Sequence, residues 1–452
     1  MEEYSELEAN AQAVLTDNDK GNFTVPAEPL YPHQWLWDSA FIAIGLRHIN
    51  PERAKAELLH LLEAQWENGM IPHVVHSGQK HARDDSIWRS WMNPNAPEHV
   101  STSGITQPPI LAEAVVRVAD SLGTHERKTW LKLAYPHLLR YHQWLYADRD
   151  PHQEGLVLQI HPWETGLDNS PPWMKELHEH QLPLWVQAVR SLRLSWLFNL
   201  FRSDTKIIPA RQRMTTIDAL ALYSVQRRLR RKNYDIKRIL AHSLFAIEDV
   251  SFNAIFIRNN QLLADIAKEL REDIPEELSA HMKQTETAFA QLWDPYSSQY
   301  FSREFVSHRL IKEPSIGTLI ALYAGVVPKD QAEQLVKMIE DEHQYGSAHP
   351  IPSAPISSDW FDEERYWQGP TWINTNWLII DGLRRHGYDE HADALTESTL
   401  EMVNKHGFYE YFSPITGTPA GATNFSWTAA LTLDLLKSTQ SSPSNDSKKS
   451  TK

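Results

Sequence analysis

PTWINTNWLIIDGLRRHGYDEHADALTESTLEMVNKHG, residues 370–407, holds two helix patterns in succession. Pro370 opens the first, over 370–386, and Gly387 stands past its end; the second, over 390–406, stops at Gly407. Proline lacks an N–H that a first helical turn does not need, and glycine takes the left-handed conformation that closes a last turn. The same grammar recurs outward along the chain. Asn50-Pro51-Glu52 has the order of an N-cap, a first helical position and an acidic first turn, followed by Ala54, Leu58, Leu61 and Leu62 at helical spacing, with Gly69 as the stop. Pro108-Pro109 opens another pattern, with Leu111, Val115, Val118, Ala119 and Leu122 on one side and Gly123 after it. Residues 425–437 repeat it, and 215–272 carry helix patterns with little strand alternation. The chain is therefore predicted to be all-α.

The loops between these helices are rich in Trp, Pro, Gly, His and carboxylates: YPHQWLWDSA (31–40), TSGITQPP (102–109), HPWETGLDNSPPW (161–173), WFDEERYWQGPTW (360–372) and GFYEYFSPITGTPAGATNFSW (407–427). Long helices alternating with such loops predict helical hairpins closed into a ring, with one set of loops converging at one end. No composition break divides the chain, so residues 1–437 are expected to form a single catalytic domain and 438–452 a disordered polar tail.

Composition narrows the function. Net charge is −14, the wrong sign for a protein that tracks phosphates, so nucleic acid is not an expected partner. The 452 residues include no Cys, which excludes a disulfide framework, a zinc–thiolate site and a cysteine nucleophile. The acidic start MEEYSELEANAQ lacks the pattern of a signal peptide. No apolar run reaches the roughly 20 residues that span a bilayer. A cytoplasmic protein without a membrane partner is expected. Its 17 Trp residues count where they cluster with polar residues in loops, because an indole is a flat apolar platform with one donor, suited to the face of a sugar ring.

Two carboxylates stand out. In 161–173, Glu164 and Asp168 lie among Trp163, Trp173 and three prolines. An acid beside apolar rings is desolvated, stays protonated near neutrality and can act as a general acid, although an acid next to Pro and Asn often only caps a turn. In 407–421, Glu410 sits between Tyr409 and Tyr411, and the alternation Phe408, Glu410, Phe412 suits a short hairpin arm that turns one carboxylate inward. Around these, Tyr31, Trp35, Trp37 and Asp38 precede a helix, Gln107 stands at a helix entrance, and Arg365, Tyr366, Trp367, Gln368 and Trp372 surround a Gly-Pro turn. A carboxylate pair amid stacking and hydrogen-bonding groups matches glycoside hydrolysis.

The blocks W-D-S-A-F, E-T-G-L-D-N-S-P, R-Y-W-Q-G-P-T-W and G-F-Y-E-Y…G…F-S-W-T-A resemble those of glycoside hydrolase family 63. The similarity is greatest to its short bacterial branch, the mannosylglycerate and glucosylglycerate hydrolases, and runs in order from about residue 20 to 437. The resemblance implies an (α/α)6 barrel and an inverting α-glycosidase acting on a small α-glucoside or α-mannoside, with Asp168 as general acid and Glu410 as general base. It implies that Trp37, Asp38, Gln107, Trp367, Gln368 and Gly369 hold the non-reducing sugar and that Tyr31, Tyr366 and Trp372 lie near the leaving group. Gly166 and Trp427 fall within the matching blocks, Trp35 and Trp163 stand just before two of them, and all four are further substrate-binding candidates. No cofactor and no metal are implied; the partner is a small carbohydrate.

Two departures concern specificity. Gln368 stands where many relatives carry Arg. The glycerate-specific members hold the carboxylate with an Arg and a Tyr; the corresponding stretch here, IPARQRMTTIDALALY (208–223), offers Arg213 but only the distant Tyr223. The aglycone, glucose versus mannose, and homo-oligomerisation stay open. Alternatives are an α-glucosidase on oligosaccharides or trehalose-like disaccharides, a phosphorylase or transferase on the same toroid, and a noncatalytic sugar-binding protein, which would not need the carboxylate pair. The pairs His73/His76 and His178/His180 have metal-ligand spacing but no accompanying H-E-x-x-H. The basic run 226–238 is expected to be a solvated helix face. Whether residues 77–100, with few core anchors, form a mobile lid stays open.

Overall fold

The computed structural model describes residues 4–78 and 86–441. Among these, twelve helices alternate between two concentric layers. The inner layer is α2 (Leu36–Leu46), α4 (Leu111–Asp120), α6 (Val250–Leu270), α8 (Gly317–Ile320, continued by a 3₁₀ turn over Ala321–Ala324), α10 (Ile373–Arg385) and α12 (Ser426–Ser441). Each packs on the next in that order and α12 packs on α2, which closes the ring. Outside it, α1 (Ser5–Asp17) backs α12, α3 (Pro51–Glu63) backs α2, and α5 (Thr124–Arg149) backs α4 and α6. Farther round, α7 (Glu276–Ala288) backs α6, α9 (Lys329–Glu340) follows α8, and α11 (Asp389–His406) backs α10. This is the (α/α)6 barrel.

Residue chemistry sorts the layers. All eleven residues of α2 are buried, the property of a helix with neighbours on every side. The outer α3 instead buries only Ala54, Glu57, Leu58, Leu61 and Leu62. Asn50 caps it as the sequence predicts, its side chain accepting from Arg53 N at 3.1 Å. Ring closure depends on Gly45, where a Cβ would lie 2.4 Å from the Ala430 backbone, so no larger residue lets α2 and α12 approach.

Inner helices α2, α10 and α12 begin at one end of the barrel, where the chemically loaded loops gather. The other end is tied by charge. Asp434 of α12 accepts from Arg47 at 2.7 Å, His48 at 2.9 Å and the Trp377 indole at 2.9 Å, while Arg117 of α4 bridges Glu113 and Asp381.

Short antiparallel strand pairs lace the loops: β1 (Gln34–Trp35) with β2 (Val74–Val75), β3 (Ile247–Glu248) with β6 (Arg303–Glu304), β4 (Trp293–Asp294) with β5 (Gln299–Tyr300), and β7 (Tyr409–Phe412) with β8 (Pro419–Thr423). Between α5 and α6, shorter helices are inserted, among them Pro171–Glu176, Leu184–Ser191 and Thr216–Arg231.

Some boundaries differ from the sequence expectation. Helix α3 ends at Glu63, with Ala64 as its C-cap; Gly69, at φ +102°, belongs to the following loop, packed against the Arg140 carbonyl. Helix α12 runs to Ser441, so 438–441, expected in the tail, are helical; the rest of the expected tail lies outside the described residues. Of residues 77–100, 79–85 likewise lie outside them, but Trp88 is a core anchor that the sequence reading missed, packed against His73 and Trp163 at 5.5 and 5.8 Å between ring centres. Within the basic run, Arg227, Arg231, Lys237 and Arg238 face solvent, whereas Arg230 donates to the carbonyls of Ser86 and Ile87. No helix among the described residues is long and apolar enough to cross a membrane.

Candidate active site

The loop after α5 separates its two acids into two roles. Glu164 is buried and fully engaged: it accepts from Arg149 at 2.8 Å, from Ile160 N at 2.8 Å and from Thr106 N at 3.3 Å. It holds the loop. The turn that follows passes through Gly166 at φ +75°, where a Cβ would lie 2.5 Å from the Trp37 ring. That turn delivers Asp168, which keeps part of its surface open. Its neighbour Asn169 accepts from Trp367 N at 3.0 Å through its side chain and from the Gln368 side chain at 3.0 Å through its carbonyl, docking the loop onto 365–372. Burial pushes the Asp168 carboxyl up to about 7, against the opposing pull of the Tyr366 hydroxyl and Arg213, so the group is poised to hold a proton near neutrality.

Tyr366 donates to Asp168 at 3.0 Å. Its backbone sits at φ +44°, a conformation costly for a bulky residue, and the Trp372 indole donates to its carbonyl at 3.0 Å to hold it there. Trp367 stacks on Trp372 with 3.8 Å between ring centres. Trp372 also meets Tyr411 at 4.6 Å and Trp427 at 5.8 Å, and Trp37 meets Trp427 at 5.4 Å and Trp367 at 6.1 Å. The indole N–H groups of Trp35, Trp367 and Trp427 are buried without a protein acceptor.

The second carboxylate arrives on a hairpin. Strand β7 places Glu410 inward, 1% exposed, between the buried Phe408 and Phe412. Opposite it, the register of β8 slips by one residue at Gly421, φ +75°. A Cβ there would lie 2.5 Å from Glu410 Oε2, so only glycine lets the bulge fold over the carboxylate. Ala422 N then donates to Oε2 at 2.9 Å. Tyr31 donates to Oε1 at 2.6 Å, and Arg213 Nη1 reaches Oε1 at 3.2 Å and Oε2 at 3.3 Å.

Arg213 lies between the acids. Its Nη2 donates to the Tyr31 hydroxyl at 2.9 Å, and its guanidinium carbon sits 4.2 Å from the centre of the Tyr366 ring. Asp38, in the first turn of α2, is buried beside both carboxylates, and burial together with Glu410 and Asp168 drives its carboxyl well above the usual range.

Asp168, Glu410, Tyr31, Trp37, Asp38, Gly166, Arg213, Tyr366, Trp367, Trp372 and Trp427 thus come together at one end of the barrel. Gln107 accepts from Trp37 N at 3.3 Å, and Gly369 N donates to Ser353 at 3.0 Å; these and Gln368 brace the loops. Trp35 and Trp163 flank the site through His73, at 4.8 and 6.2 Å between ring centres. Tyr223 is exposed. Among the histidine pairs, His73 meets Ser103 at 3.0 Å and His178 meets Asp218 at 2.8 Å, and no group of three or more metal-ligating side chains occurs among the described residues. Sequence reasoning did not single out Asn169, Tyr411, Gly421 or Ala422, although all four stand inside the quoted blocks; Gln212, whose side chain accepts from Gly421 N at 3.2 Å, carried no signal.

Comparison with known proteins identifies what the chain is similar to. Residues 31–428 match the family described as the mannosylglycerate hydrolase MGH1-like glycoside hydrolase domain. The mannosylglycerate hydrolase of Rubrobacter radiotolerans is 36% identical over 95% of this chain and 97% of its own length. The glucosylglycerate hydrolase of Mycolicibacterium hassiacum is 33% identical over 96% and 98%. The crystal structure of the family 63 mannosylglycerate hydrolase from Thermus thermophilus, in complex with Tris and D-glycerate, superposes with a TM-score of 0.84 at 36% identity, covering 95% of this chain and all of that one.

Proposed function

From the membership of this chain in the MGH1-like glycoside hydrolase family, within family 63, we propose that it is an inverting α-glycosidase acting on glucosylglycerate or mannosylglycerate. That it is a glycoside hydrolase of small glycosides follows from the family and its relatives. The observation that carries the finer reading is the pairing of two unlike carboxylates with a cation between them. Asp168 is held near neutral charge and Glu410 is surrounded by donors.

In this reading the sugar lies among Trp37, Asp38, Trp367 and Trp427. Asp168 transfers its proton to the glycosidic oxygen as the bond from that oxygen to C1 breaks. On the opposite face, a water oxygen bonds to C1 while Glu410 takes its proton. Arg213, stacked over Tyr366 beside the acid, supplies the charge that a glycerate carboxylate requires. Arg213 and two tyrosines stand between the carboxylates, which supports the wider spacing of an inverting pair.

Proton NMR of the purified protein with glucosylglycerate, mannosylglycerate, glucosylglycerol and trehalose tests this. First release of a β-anomer from one of the two glycerate glycosides is the expected result. Release of an α-anomer would overturn the roles of Asp168 and Glu410, and exclusive turnover of trehalose would overturn the aglycone.

A further inference from the structure

Glu410, as the structure holds it, is crowded by three donor atoms, one of them shared between its two oxygens, and has little acceptor capacity left for a water. A carboxylate offers about four acceptor sites. On Glu410, Oε1 takes the Tyr31 hydroxyl at 2.6 Å and Arg213 Nη1 at 3.2 Å, and Oε2 takes Ala422 N at 2.9 Å and the same Nη1 at 3.3 Å. The base is masked on both oxygens, and one of its donors is a full positive charge.

Of these donors, Ala422 N is backbone in β8 and cannot leave without undoing the hairpin. Tyr31 is neutral and itself accepts from Arg213 at 2.9 Å. Arg213 is the donor that an anion can compete for. It is buried, so moving it off Glu410 toward a neutral group would leave two unpaired charges away from water, whereas moving it to a second carboxylate exchanges one ion pair for another. Its position suits such an exchange. The guanidinium lies over Tyr366, whose hydroxyl holds the acid that serves the leaving group, so the aglycone side adjoins Arg213. Its Nε is buried without a hydrogen-bond partner, 3.6 Å from Asp204, a second carboxylate against which the head can turn.

We propose that Arg213 is a substrate-released clamp on Glu410: the carboxylate of an anionic aglycone draws the guanidinium away and so unmasks the base. This rests on the roles of Asp168 and Glu410 proposed above. The consequence is that the carboxylate of the leaving group raises kcat as well as binding. A neutral glycoside of the same size is turned over slowly even when it saturates the enzyme.

The test uses the full chain and a substrate without an aglycone, α-mannosyl fluoride or α-glucosyl fluoride, whose leaving fluoride reports the base-assisted step. Added D-glycerate is expected to raise kcat for the fluoride tenfold or more. Arg213→Met is expected to raise the rate without glycerate and to abolish the glycerate response, while raising KM for the glycerate glycoside. Fluoride hydrolysis that D-glycerate leaves unchanged or only inhibits would overturn the clamp and leave the glycosidase reading standing. No hydrolysis of either fluoride or either glycerate glycoside would overturn both. The wild-type glycerate response decides the matter even where the variant fails to fold.

Discussion

Asp168 and Glu164 stand four residues apart in one loop, and their surroundings give them opposite tasks. Glu164 meets three donors, one of them an arginine, whereas Asp168 meets one tyrosine hydroxyl in a desolvated setting. Asp168→Asn and Glu410→Gln are each expected to lower kcat by roughly 10²–10⁴-fold with an unchanged circular dichroism spectrum, the usual contribution of a general acid or base; initial rates check this. Because the Asp168 carboxyl is pushed up to about 7, kcat/KM should fall on the alkaline side as pH rises through about 7, where the acid loses its proton. The same shift has a stability signature. A carboxyl whose folded pKa is raised contributes stability that is fully present below about pH 4, the ordinary Asp value, and is lost as pH rises to about 7. Asp168→Asn should therefore gain Tm relative to the wild type as pH is raised from 4 to 8; a constant difference across that range would remove the buried-acid argument.

At the scale of elements, the hairpin β7–β8 presents Glu410, the proposed base. The sequence reading of an inward-turned arm around Glu410 matches the structure because the alternation of Phe408, Glu410 and Phe412 is local information. The slip of β8 that lays Gly421 over the carboxylate is not local: which residue opposes Glu410 depends on the register of a second strand. Gly421→Ala is expected to cost more than about 1 kcal/mol, since alanine is strained at φ +75°. It should also reduce kcat at least tenfold, because the new methyl would meet Glu410 Oε2. Urea unfolding and initial rates measure the two effects, and a variant with wild-type turnover would detach the bulge from the chemistry. Gly69 teaches a similar lesson, its positive φ being spent on a loop packed against Arg140 rather than on the helix end that sequence position suggested.

For the whole molecule, the barrel keeps its chemistry at one end and a buried ionic tie at the other. Asp434 joins Arg47, His48 and Trp377, and its neighbours hold its carboxyl well below the usual range. Asp434→Ala takes the buried carboxylate from the half-buried Arg47 and should cost about 1.5–3 kcal/mol, the range for a hydrogen bond to a charged group. A depressed carboxyl contributes stability present above about pH 4 and lost as pH falls below it, so the penalty should shrink on acidification. Denaturant titrations at pH 7 and pH 3 check both; equal penalties at the two would mean that packing, not charge, ties that end.

Helix order, the chemically loaded loops and the two carboxylates were legible in the sequence, because capping, periodicity and the grouping of Trp with acids are properties of neighbouring residues. The sequence also carried the family blocks, and with them the barrel. Only the tertiary structure decided that Glu164 braces while Asp168 meets Tyr366, that Gln107 and Gln368 hold backbone, and that Arg213 reaches Glu410 across 197 positions of chain. Each of those depends on which groups meet after the ring closes, and burial, which raises the Asp168 carboxyl and shields the Arg213–Glu410 ion pair from water, exists only once it has closed.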